Sequence, residues 1–357
     1  MNNIIGTFLF VYLFSSVLSA QWTPEITLDE DINSSTIIEG KRVLYSNGTI
    51  IRSSLTLIDC DVRVENSILY EENSEIIFKG STFRNGGSNT DWLGFRTPFL
   101  GFDIIKARIE IDNCQFYEFA ELMHIRFAEG SSVSLTNNHF ETDFGFSHCF
   151  HFINKGGSLF TFHGNTVIAH QNHCITLEAE DTEPWIIGDS DQSPNVFISN
   201  QNTGTDNNMA VLIRVDNSEA NITFKNSIFQ GVHSGLRLER GNVQFDNCIF
   251  KNSTFGFTKR NSPSDQVSFS NCAFVNNSIG ARLQRSRFLF DHCEFSNNST
   301  GLKMSLPEPS DGDLRIYNST FANSIDVHTT GEFLDRIEFF GNTFYGSQYG
   351  IFTDGNC

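Results

Sequence analysis

A short pattern recurs along the chain: an apolar residue, a spacer, Asn, Asp or Gly, a small residue, a spacer and a second apolar residue. Its clearest copies are Phe245-Asp-Asn247-Cys248-Ile-Phe250, Phe269-Ser-Asn271-Cys272-Ala-Phe274, Phe290-Asp-His292-Cys293-Glu-Phe295, Phe224-Lys-Asn226-Ser227-Ile-Phe229 and Ile316-Tyr-Asn318-Ser319-Thr-Phe321. Looser copies span Leu57–Val62, Phe78–Phe83, Ile111–Phe116, Leu135–Phe140, Phe162–Val167 and Phe339–Phe344, and a degenerate copy is placed at Val196. Twelve copies result, with closing positions 21 to 33 residues apart. Repetition at this period means a solenoid or a propeller.

Within a copy the apolar residues alternate, as in Phe288-Leu-Phe290, Cys293-Glu-Phe295 and Gly301-Leu-Lys-Met304. Period two is the strand signal, and no helical run separates these strands. The repeat is too short for a propeller blade and lacks a Leu ladder. It fits one coil of a parallel β-helix, in which like residues stack in columns. The 36 Phe then fill a narrow interior as stacked rings. Asn enters the left-handed backbone region more readily than most residues and suits the corners. The expectation is an all-β solenoid of about twelve coils over residues 41–357, after a lead-in or cap at 21–40.

These repeats resemble the pectin-lyase-like superfamily of right-handed parallel β-helices over about residues 40–357. The segments Phe274-Val-Asn-Asn277 and Phe295-Ser-Asn-Asn298, with Ile279-Gly-Ala281, also look like the repeats of polymorphic outer-membrane proteins. The first resemblance implies a right-handed coil and, as one option, a polysaccharide enzyme. Asn89-Thr-Asp91 is similar to the first polygalacturonase motif, but the later motifs of those enzymes are absent. Glycoside hydrolysis needs two carboxylates, and Asp91 has no partner at the right coil offset. A lyase or epimerase would need a base, an acid and a charge neutraliser, for which His151, Arg126 and Arg214 are the weak candidates.

Residues 1–20 carry no charge and read as a signal peptide, so the mature chain is expected outside the cell with no remaining membrane span. The net charge of −18 argues against nucleic acid as a partner. Cys60, Cys114, Cys248, Cys272 and Cys293 share one template slot, which favours stacked thiols over disulfides; Cys149 and Cys174 are a second conceivable pair. No Cys-x-x-Cys spacing suggests zinc; His124, His148 and His173 recur 24 and 25 residues apart, for which strays in a turn are the commoner explanation and metal binding a conceivable one. Sequons are frequent because the corners are built from Asn-Ser and Asn-Thr; Asn33, Asn47 and Asn252 are the preferred glycosylation sites, and Asn318 is expected to face inward.

Reading the residue between two apolar ones on each third strand gives an outward column: Arg126, His151, Thr176, Arg214, Arg237, Arg282 and Lys303. Five cations in one line on an acidic protein suit an acidic polysaccharide, since Arg forks onto carboxylates. Trp92 and Trp185, in the longest insertions, are candidates for stacking on sugar rings. The acidic run Glu178, Glu180, Asp181, Glu183, Asp189 and Asp191 is a conceivable Ca²⁺ site, though no cofactor is required. The leading expectation is a non-enzymatic protein whose long face binds polysaccharide or a cell-surface protein. The alternative is a polysaccharide lyase or epimerase acting on an acidic polymer. End-to-end contact at the C-terminal coil is a further expectation.

Overall fold

The computed structural model describes residues 22–354 apart from 47, 66, 86–94, 97–105, 118–122, 128–129, 143–147, 155–156, 171–172, 180–183, 201–208, 216–220, 261–264, 285, 307–312 and 332–335. At 95–96, 123–127, 148, 154, 179, 305–306, 331 and 353–354 it describes the backbone alone. The expected signal peptide, Asn47, Trp92, Glu180, Asp181 and Glu183 therefore lie outside the described residues.

Alternation builds every coil. In Arg287–Asp291, Phe288 and Phe290 point inward and their neighbours outward. Each coil lays one strand on each of three faces, and the described pairings are parallel from coil to coil. One face is a 14-stranded sheet running from Ile26–Leu28 to Thr343–Phe344, and the second is a 13-stranded sheet from Ile50–Ile51 to Tyr349–Asp354. The third is divided into sheets of six and seven strands. Pairing begins early: Ile26–Leu28 pairs with Arg42–Tyr45, and Thr36–Glu39 with Ser54–Ile58.

The two apolar template positions form two Phe ladders. Phe250, Phe274, Phe295 and Phe321 stack with centroids 4.8, 4.6 and 4.6 Å apart and planes within 6°. Phe224, Phe245, Phe269 and Phe290 form the second, at 5.5, 4.9 and 4.6 Å. The degenerate copy closes one residue later than the sequence suggested. Phe197, not Val196, is buried between Val167 and Phe229, because Asn195 takes the small-residue slot beside Ser227.

The template's Asn position is a left-handed corner: Asn226, Asn247, Asn271, His292 and Asn318 have φ between 44 and 53°. Gly takes the slot where its neighbour's side chain fills the space; a Cβ on Gly164 would lie 2.5 Å from Asn137 Oδ1. Asn318 is exposed and donates to Asp291, so the expectation that it faces inward is corrected. The left-handed turn aims its side chain outward, and Ser319, one residue on, is the buried one.

That next slot holds Cys, Ser or Asn, all of which satisfy backbone inside the solenoid. Asn138 and Asn165 accept from the backbone N–H of the preceding coil at 2.8 and 3.0 Å. Cys248, Cys272 and Cys293 donate to the carbonyl two residues back. All seven described cysteines are buried thiols outside any disulfide. Burial pushes the Cys114 and Cys174 thiols up to about 12, and Cys272 and Cys293 also upward. The seven described thiols should therefore react with a thiol reagent at neutral pH only as fast as the protein unfolds. The linkage has a definite sign. Between pH 9 and about 12 the unfolded chain loses these protons and the folded chain keeps them. Each such thiol then lowers stability by about 1.4 kcal/mol per pH unit across that window. A melting temperature flat from pH 8 to 11 would contradict this.

Candidate functional site: a cationic cleft on the 13-stranded sheet

The pairing register decides which outward residues are neighbours. Along the 13-stranded sheet the rungs align His124, His151, Thr176, Leu212, Arg237, Thr258, Arg282, Lys303 and His328. Arg126 and Arg214 are not in this line. They align with Ile153 and Glu178, two residues further along the strand. The single column read from the sequence is thus two columns. Of the proposed catalytic set, His151 lies across from Glu178 (3.2 Å), Arg214 is bound to Glu239 (2.8 Å), and the Arg126 side chain is outside the described ones. Of the recurring histidines, His148 and His173 share a register position, whereas His124 aligns with His151.

Positive charge concentrates where Ser234–Arg240, Phe255–Lys259 and Ile279–Leu283 run side by side. A cleft of about 400 Å³ opens there, lined by His233, Arg237, Phe255, Arg260, Arg282 and Gln284 among others. Arg237 lines the cleft although it is only 5% exposed. One carboxylate, Glu239, serves three guanidiniums: Arg214 at 2.8 Å, Arg237 at 3.2 Å and Arg260 at 4.0 Å. Arg282 lies over the Phe255 ring, 5.1 Å from its centroid, and pairs with no described carboxylate. Beneath the wall, Lys259 and Asp265 form a buried ion pair at 2.8 Å. The Lys259 ammonium also donates to the carbonyls of Glu239 and Arg260, and Asp265 accepts from Gly241 N–H. This pair pins the backbone of both cleft-lining segments. Burial pushes the Lys259 ammonium down, against the opposing pull of Asp265.

Residues 211–357 match the family described as right handed beta helix region. The fold is a right-handed parallel β-helix of the pectin-lyase-like kind. Among solved structures, an Asp→Ala variant of the periplasmic alginate epimerase AlgG has a TM-score of 0.54 at 10% identity, covering 84% of this chain and 78% of that one. The A-module of Azotobacter vinelandii mannuronan C-5 epimerase AlgE6 gives 0.47 at 10% identity, with 87% and 91% covered. Tailspike protein 3 of bacteriophage CBA120 gives 0.42 at 13% identity, with 85% and 55% covered. These are likenesses of fold. No curated protein sequence matches the chain.

Two residues expected to be exposed are largely buried. Trp185 is 4% exposed and stacks on Phe160 at 5.3 Å, so it cannot meet a sugar ring. It begins the seven-stranded sheet, and its indole fills the interior position that Ile222 takes on the next rung. Arg237 is largely covered although it lines the cleft, where it pairs with Glu239. Of the acidic run, Glu178 faces His151, and Asp189 accepts from the Asp191 N–H. Asn33 and Asn252 are exposed. Glu239, Arg260 and Phe255 were missed in the sequence. Glu239 was findable, lying two residues after Arg237 on one strand. Arg260 follows a coil whose in-register residue, Thr258, is uncharged.

Proposed function

We propose that this β-helix acts outside the cell as a binding protein for an acidic polysaccharide, held at the cationic cleft of the 13-stranded sheet. The observation that carries this reading is the sharing of Glu239 by three guanidiniums beside the carboxylate-free Arg282. Among the described residues, four guanidiniums against one carboxylate leave a local positive excess on a chain of net charge −18. A ligand carboxylate supplies the missing charge and takes paired N–H donors from a planar fork. The Phe255 ring and His233 give one wall an apolar surface for the sugar ring (centroids 5.1 Å apart). The β-helix suits a polymer because equivalent positions repeat along its axis.

The test is retention on immobilised polygalacturonate. Arg282→Gln with Lys303→Gln should weaken binding about tenfold or more, since a hydrogen bond to a charged group contributes about 1.5–3 kcal/mol. Retention should also fall as salt is raised. Retention unchanged by this double substitution would overturn the reading.

A further inference from the structure

A second cationic track runs along a different face. On the exterior of the 14-stranded sheet, Arg63 lies over the Trp22 ring at 4.5 Å, and Arg84 over the Tyr117 ring at 5.4 Å. Arg63 and Arg84 are register partners on adjacent rungs. Tyr117 continues to His139, with ring centroids 5.5 Å apart. His139 and His170 then share Glu141, at 3.2 and 2.9 Å. The ribbon crosses five consecutive rungs, from Asp61–Val64 to Thr166–Ala169. That is about 19 Å at the usual strand spacing.

The two arginines, like Arg282 in the cleft, lack an acidic partner among the described residues. Arg42, Arg108, Arg315 and Arg336, also on sheet exteriors, each lie within 3.4 Å of a carboxylate. Arg63 and Arg84 pair with no described carboxylate, although the chain has 42 acidic residues. Like charges on adjacent rungs repel. An aromatic ring beneath each guanidinium covers its flat face and leaves the in-plane N–H groups free to fork onto an anion. Asp61 accepts from the Trp22 indole N–H at 2.7 Å, which fixes the ring that backs Arg63.

We infer that this ribbon is a second binding track for an acidic polysaccharide, with Arg63 and Arg84 each taking a carboxylate of a chain that runs along the solenoid axis. Carboxylates regularly spaced on a stiff chain match two cations set on adjacent rungs. The strongly acidic surface disfavours a polymer of denser charge, such as a nucleic acid. The track shares no residue with the cleft and does not depend on it.

The experiment is calorimetric titration of the full chain with a hexamer of galacturonate. The native protein should take up two hexamers. Arg63→Gln with Arg84→Gln should remove one, or weaken it about tenfold, and Arg282→Gln with Lys303→Gln should remove the other. Tyr117→Ala should weaken the first track and Tyr117→Phe should not, since the ring alone backs Arg84. All four positions have solvent access, so unchanged melting curves confirm the fold. A single site lost only on changing Arg282 and Lys303 overturns the second track and leaves the cleft standing. Uptake lost only on changing Arg63 and Arg84 does the reverse. Poly-glutamate bound as tightly as the hexamer at the Arg63–Arg84 track overturns its assignment to a saccharide.

Discussion

Phe295→Ala should destabilise the protein by about 3–5 kcal/mol. The Phe295 ring is fully buried and lies 4.6 Å from both Phe274 and Phe321, with planes within 4°. It also meets the Phe290 edge at 5.5 Å, so both ladders lose a contact. The backbone on either side is fixed by parallel pairing to the neighbouring rungs, so the cavity cannot collapse without breaking ladder bonds. Stability in a solenoid is largely a sum of nearest-neighbour terms. Hydrogen exchange should therefore accelerate most in Ala273–Val275 and Thr320–Ala322, and least in the N-terminal rungs. Uniform acceleration along the chain would show that the coils are not energetically local.

Lys259→Met is expected to cost a similar 3–5 kcal/mol or so, for an electrostatic reason. Lys259 is fully buried and Asp265 nearly so, and removing the cation leaves a carboxylate with no counter-charge in the interior. The double substitution Lys259→Met with Asp265→Leu should recover part of the loss. Recovery should stay incomplete, because Asp265 also accepts from Gly241 N–H and Lys259 donates to two carbonyls. Urea unfolding of the three variants measures both quantities. If the double variant is no more stable than Lys259→Met, the ion pair is not what holds these segments. Because those carbonyls belong to Glu239 and Arg260, the single variant should also weaken polygalacturonate binding while every cleft side chain is still present.

The coil itself was legible in the sequence. Phe250, Phe274 and Phe295 recur in one slot because a parallel rung places each residue over its equivalent, and Asn247 and Asn271 recur because the corner between faces needs a positive φ. The one misplaced closure, Val196 for Phe197, came from a copy that carries Gln192 where the others open on an apolar residue.

The arrangement of the exterior was decided only in three dimensions. Alternation fixes whether a residue points in or out, and a shift of one residue would expose the core. A shift of two keeps every side chain on its own face, so the hydrophobic pattern cannot detect it. Arg126 and Arg214 were misaligned by that step, and the register moved them beside Ile153 and Glu178. Contacts between rungs, such as Arg260 to Glu239 or Arg84 to Tyr117, depend on the same lateral register and on insertion lengths that differ from coil to coil. The sequence by itself determined a Phe-filled parallel solenoid, because the interior selects residue type at every turn. The tertiary structure alone decided which surface charges meet, because the exterior tolerates almost any polar residue and carries no periodic signal of its own.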